Sequence, residues 1–263
     1  MYKVLNELLK DRSGDIVFNC FGIYHIIYII IGIIFLAFLI ILINKKQDKK
    51  ESIINIVLDI ALGLYILDFF LMPLAHGEID IEKLPFHACT CMCVMSFLSR
   101  RIKWLSKFKN SFAMLGLISN TVYFFYPAGV MWYQVSPFCY RVIQTLMYHY
   151  IMMVYGILVL VYERNDITFK DIIYDVIVII GMTLWALIGN LSYNNIQDSG
   201  RIINWFFVVK DPFGLIDPNI SKFIMPFITP TAFMLVTLSI YALRILFKKN
   251  KNNVVEVWLY ENT

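Results

Sequence analysis

Two side chains in this sequence are suited to nucleophilic chemistry: Cys89, in the run Leu84-Pro85-Phe86-His87-Ala88-Cys89, and His149, 60 residues further on. A proline favours the first turn of a helix, where backbone N–H groups lack partners within the helix and the dipole end is positive. A cysteine in that turn is favoured as thiolate, the form that attacks. His87 is the nearest base in sequence, but successive helical residues turn by about 100°, so His87 and Cys89 point roughly 200° apart. The spacing therefore predicts that another histidine serves Cys89, with His149 the first candidate and His76 the fallback. Cys93 lies one turn deeper on the face of Cys89 and Cys91 turns away; as small apolar residues, both read more plainly as packing.

The elements that must hold these residues are membrane helices. Residues 22–43 contain no Asp, Glu, Lys or Arg, and an uncharged run of about 18 or more residues reads as a span because a helix pairs its own backbone groups in hydrocarbon. Composition agrees: 59% of the 263 residues are hydrophobic, against about 45–50% apolar in an ordinary soluble domain. Six further apolar stretches follow at 53–72, 84–99, 111–132, 142–162, 172–192 and 223–243. The expected fold class is all-α, a polytopic membrane helical bundle of about seven transmembrane helices. It comprises an external N-terminal tail (1–21), the bundle (22–247) and a cytoplasmic tail (248–263). Residues 1–20 lack the continuous apolar core of a secretory leader. Pro226 and Pro230 predict a broken last span, and residues 193–222 are too many for a plain connection, so structure or function is expected there.

Fifteen of the 23 basic residues fall on one side of these spans, at 45–50, 100–109, 164–170 and 244–251. The positive-inside rule then puts the C-terminus in the cytoplasm and the N-terminus outside. The net charge of +4 is modest and sits in short connections, which argues against a nucleic-acid surface. The five cysteines match neither a disulfide framework nor the paired spacing of structural zinc. In this orientation all four histidines, His25, His76, His87 and His149, belong to the outer half. Asp68, Asn190 and Asn204 approach the same level, and Asn120 is near the middle of its span. A single membrane histidine is more often helix glue, but four in one leaflet favour a site.

The Leu84-Pro85-Phe86-His87-Ala88-Cys89 run, followed by Tyr148-His149 in an apolar helix and Asn204-Trp205 in the last external loop, resembles the bacterial YwaF-like integral membrane proteins. These are similar in turn to the animal transmembrane-protein-164 family. The resemblance spans roughly residues 84–246, with two departures: Thr90 stands where many relatives carry aspartate, and Trp205 where tyrosine is usual. It implies a bacterial cell-membrane protein that transfers or hydrolyses phospholipid acyl esters, with Cys89 as nucleophile and His149 as base. On that reading Asn204, with Asn190 or a backbone N–H near the third span, donates to the oxyanion and His87 orients the acceptor. Membrane lipids are then the partners, and no cofactor or metal is expected. The rival reading is a transporter or sensor in which Asp68, His87 and His149 bind a proton, metal or small ligand. The two halves show no repeat of the kind common in transporters.

Overall fold

Apolar runs fold here as hydrocarbon requires, each into a helix that pairs its own backbone. The structure is a computed structural model that describes residues 9–11, 16–76, 81–131, 133–164, 167–196 and 203–261, and their side chains except at 75–76, 82, 128, 195–196 and 247–261. The helices are α1 (Ile23–Lys45), α2 (Lys50–His76), α3 (Ala88–Ser99), α4 (Lys109–Phe125), the single turn α5 (Ala128–Met131), α6 (Tyr140–Tyr162), α7 (Phe169–Ile196) and α8 (Pro218–Glu261). There is no strand among the described residues. Six segments are long and apolar enough to cross a membrane: Ile23–Lys45, Gln47–Leu74, Ser106–Met131, Tyr140–Tyr162, Phe169–Asn194 and Pro218–Leu246. The seventh apolar helix, α3, has 12 residues, about 18 Å of rise, and lies within the bundle without spanning it alone. The protein is thus an all-α polytopic membrane bundle of about seven helices.

α6 is the central helix. Of its most apolar stretch 67% is buried, against 17% for α1 and for the membrane segment of α8, which are the least buried of the spans. Close approach of α6 to α4 depends on Gly156, where a Cβ would stand 2.5 Å from the Leu117 Cβ and 2.9 Å from the Ala113 carbonyl oxygen. Small residues at such crossings let backbones touch. α1 is held to α6 in a similar way, with the Tyr150 ring over Gly32 and its hydroxyl donating to the Gly32 carbonyl. Ahead of α1, Phe18 is buried and its N–H donates to the Val135 carbonyl, so this part of the N-terminal tail packs on the bundle.

Two local expectations are corrected. α3 begins at Ala88, four residues later than expected, and Pro85 lies outside it. The cause is tertiary: the Phe86 ring is held between Trp185 (4.8 Å between centroids) and Trp205 (4.7 Å), and Trp185 Nε1–H donates to the Pro85 carbonyl at 2.7 Å. Extending the helix backwards would withdraw Phe86 from that slot. Pro226 and Pro230 do not break the last span, which continues as one helix through both. Each proline lacks one N–H, so two helical hydrogen bonds are missing there while the helix continues on either side. At the end of the bundle remote from Cys89, Glu163 accepts from Arg100 and Lys109 (3.0 and 2.9 Å), tying α3, α4 and α6 together.

Candidate functional site

His87 is the N-cap of α3, with extended backbone (φ −80°, ψ 145°), and its carbonyl accepts the first helical bond from Cys91 N–H at 2.9 Å. The helical phase that sets His87 opposite Cys89 therefore does not apply, since His87 is not in the helix. Cys89 is the second helical residue, half-buried, and its sulfur lies against its own N–H and that of Thr90. These are N–H groups of the first turn, free of helical partners. Thr90 Oγ1 donates to the His87 carbonyl at 3.2 Å. The Cys89 carbonyl accepts the Tyr148 hydroxyl of α6 at 2.9 Å, and that hydroxyl also reaches the Cys93 thiol. The start of α3 is thus fastened to α6 one residue before His149.

His149 is buried and clamped. Its Nδ1 is 2.7 Å from the Thr145 carbonyl oxygen. A carbonyl only accepts, so Nδ1 carries the proton and Nε2 presents a lone pair. Nε2 is buried with no partner among the described residues. Tyr123 of α4 stacks on the ring at 3.9 Å and 13°, and Tyr148 meets its edge at 5.1 Å. Tautomer and orientation are thereby set without a carboxylate. His87 has the opposite arrangement: its Nδ1 faces the Phe206 N–H at 3.4 Å and accepts, which leaves the proton on Nε2. The two imidazoles lie within electrostatic range of each other.

Phe206 is brought to His87 by a loop that asparagines hold open. Asn190 and Asn194, one turn apart on α7, grip the residues on either side of Asn204. Asn190 donates to the Trp205 carbonyl (3.0 Å) and accepts its N–H (2.8 Å), and Asn194 does the same for Ile203 (3.0 and 2.9 Å). Asn204 accepts from Val209 and Lys210 N–H at 3.0 Å and donates to the Lys210 carbonyl. Phe206 and Phe207 are left-handed (φ 56° and 53°), and the Phe207 carbonyl is fixed by Thr229 Oγ1 at 2.9 Å. The amides of Asn190 and Asn204 are therefore engaged in shaping this loop.

The remaining polar residues separate from the site. His25 is buried with both nitrogens satisfied, Nδ1 accepting the Phe21 N–H (3.0 Å) and Nε2 donating to the Phe124 carbonyl (2.9 Å). Asp68 pairs with Lys83. Asn120 donates to Gly116 within its own helix at 2.7 Å. The His76 side chain lies outside the described residues. Among the described residues no group of three His, Cys, Asp or Glu side chains is placed to hold a metal. Residue types alone did not reveal the clamp on His149. Thr145, four residues earlier on the same helix face, is legible from spacing, whereas Tyr123 comes from another helix and leaves no local signal.

Fold and site together define a polytopic helical membrane protein in which a cysteine-bearing helix N-terminus is fastened through Tyr148 to the helix that carries a histidine of fixed tautomer, with no hydrogen bond between Cys89 and His149 themselves. The chain belongs to the TMEM164 family, whose model matches residues 20–249. That match includes α1 and α2, beyond the 84–246 stretch that carries the motifs. No curated protein and no solved structure matches the chain.

Proposed function

We propose that this protein is a membrane-embedded acyltransferase or lipase acting on phospholipid acyl esters, with Cys89 as nucleophile and His149 as base. The observation that carries the reading is the buried, unpartnered Nε2 lone pair of His149 on the helix fastened to the Cys89 carbonyl through Tyr148. An unpaired buried acceptor is costly, and a proton-accepting role accounts for it. In the first step His149 Nε2 takes the Cys89 proton as the sulfur bonds to the ester carbonyl carbon. The carbon–oxygen ester bond then breaks, and the proton passes from His149 to the departing lyso-lipid oxygen, leaving a thioester on Cys89. An acceptor hydroxyl, of a second lipid or of water, attacks the thioester while His149 takes its proton, and Cys89 regains that proton as thiol. The unpaired N–H groups at the start of α3 donate to the oxyanion, since Asn190 and Asn204 are occupied by the loop. His87, protonated at Nε2, orients the acceptor.

The membrane bundle and the family support a lipid setting; the chemistry rests on Cys89 and His149. The protein works in a bacterial cell membrane with its N-terminus outside, as the distribution of 15 of 23 basic residues suggests. Lipid profiling by mass spectrometry of membranes with the wild-type chain, with Cys89→Ala and without the protein tests the reading. A shift in phospholipid acyl composition that needs Cys89 is expected. An identical profile in all three contradicts it, and dependence on Asp68 in place of Cys89 favours transport.

A further inference from the structure

The loop at 211–217 turns its polar groups inward and its apolar side chains outward. Asp211 is buried, and its carboxylate accepts the N–H groups of Phe213 (2.9 Å), Leu215 (2.6 Å) and Ile216 (3.0 Å). Its own N–H donates to the buried Ser221 hydroxyl in the first turn of α8 at 2.7 Å. Gly214 takes the left-handed conformation (φ 68°) that closes the turn. The side chains left at the tip, Phe213 and Leu215, are 77% and 85% exposed, among the largest exposures of any apolar residue here.

Two features say what covers them. The tip continues into an exposed stripe of α8, Ile220, Phe223 and Phe227, at i, i+3 and i+7, which belongs to the lipid-facing surface of a membrane segment. In addition, three backbone N–H groups of the turn are already satisfied by Asp211, which lowers the cost of holding this backbone at the lipid interface. Lys210 and Lys222 are exposed beside the tip, and the Lys222 ammonium lies 5.1 Å from the Phe223 ring centroid. Basic side chains flanking an apolar tip suit the phosphate layer.

We propose that this loop is an interfacial anchor, with Phe213 and Leu215 inserted among the upper acyl chains of the adjoining leaflet and Lys210 and Lys222 at its phosphates. The anchor holds whether or not Cys89 performs chemistry. Because Asn204 joins Lys210 to the segment that carries Phe206 to His87, it also fixes the depth of the candidate site relative to the lipid phosphates.

The wild-type chain in phosphatidylcholine nanodiscs containing a phosphatidylcholine with an acyl-chain diazirine tests this directly. After photolysis, mass spectrometry should find lipid adducts at Phe213–Leu215 as well as at Phe223 and Phe227 of α8. Adducts on α8 with none in the loop overturn the proposal. Phe213→Trp and Leu215→Trp give a second reading. The emission each adds over wild type should be quenched several-fold more by acyl-brominated lipid than by aqueous iodide, and the reverse order overturns the anchor.

Discussion

The Thr145 carbonyl decides what His149 can do. By accepting a hydrogen bond from Nδ1–H it leaves a lone pair on Nε2, and the stacked Tyr123 ring keeps that lone pair from turning away. Loss of a positioned base typically costs about 10²–10⁴-fold. His149→Ala is therefore expected to slow the Cys89-dependent acyl exchange by that order, measured as turnover of a labelled phospholipid in proteoliposomes. Tyr148→Phe is milder: the Cys89 carbonyl loses one donor, worth about 1 kcal/mol. A modest fall in thermal midpoint with partial activity is expected, and complete loss would mean that Tyr148 does more than fasten α3. If Cys89 is the nucleophile, a small permeant alkylating agent should label it ahead of Cys91 and Cys93, and equal labelling of the three would count against it. Cys89 and His149 were legible as residue types in a recognisable order. The engagement of Asn190 and Asn204 by the loop was not, because their partners are backbone groups that composition cannot locate.

At the scale of elements, helix existence could be read from apolar runs, since hydrocarbon leaves few alternatives. The start of α3 could not, because it is set by Phe86 docking between two tryptophans from distant parts of the chain. The chain from 203 to 217, expected to carry structure on length alone, does so chiefly through side-chain bonds to its backbone around one short 3-10 turn, Trp205–Phe207. The α4–α6 contact makes a quantitative test. In Gly156→Ala the added methyl meets backbone as well as the Leu117 side chain, so the helices must part. Overpacking of this kind costs about 1–3 kcal/mol, and the thermal midpoint in nanodiscs should drop accordingly. No change would mean that α4 and α6 are less closely packed than the structure has them.

For the whole molecule, the two ends of the bundle are chemically unlike. One end is closed by ion pairs around Glu163 and Arg164, while the other holds the start of α3, His149 and the loop gripped by asparagines. The basic residues cluster with the first end, so a tag after Thr263 should be protected from protease added to intact cells. Ready cleavage from outside would reverse the orientation and move the site to the inner leaflet. The central claim is that Cys89 takes the acyl group from a phospholipid ester as its proton passes to His149. Peptide mass spectrometry of the protein trapped during incubation with phospholipid tests it most directly. The account predicts a fatty-acyl adduct on the Cys89 peptide that neutral hydroxylamine removes, strongly reduced in His149→Ala. No adduct on Cys89 in the active wild-type protein, or one formed equally well in His149→Ala, would contradict it.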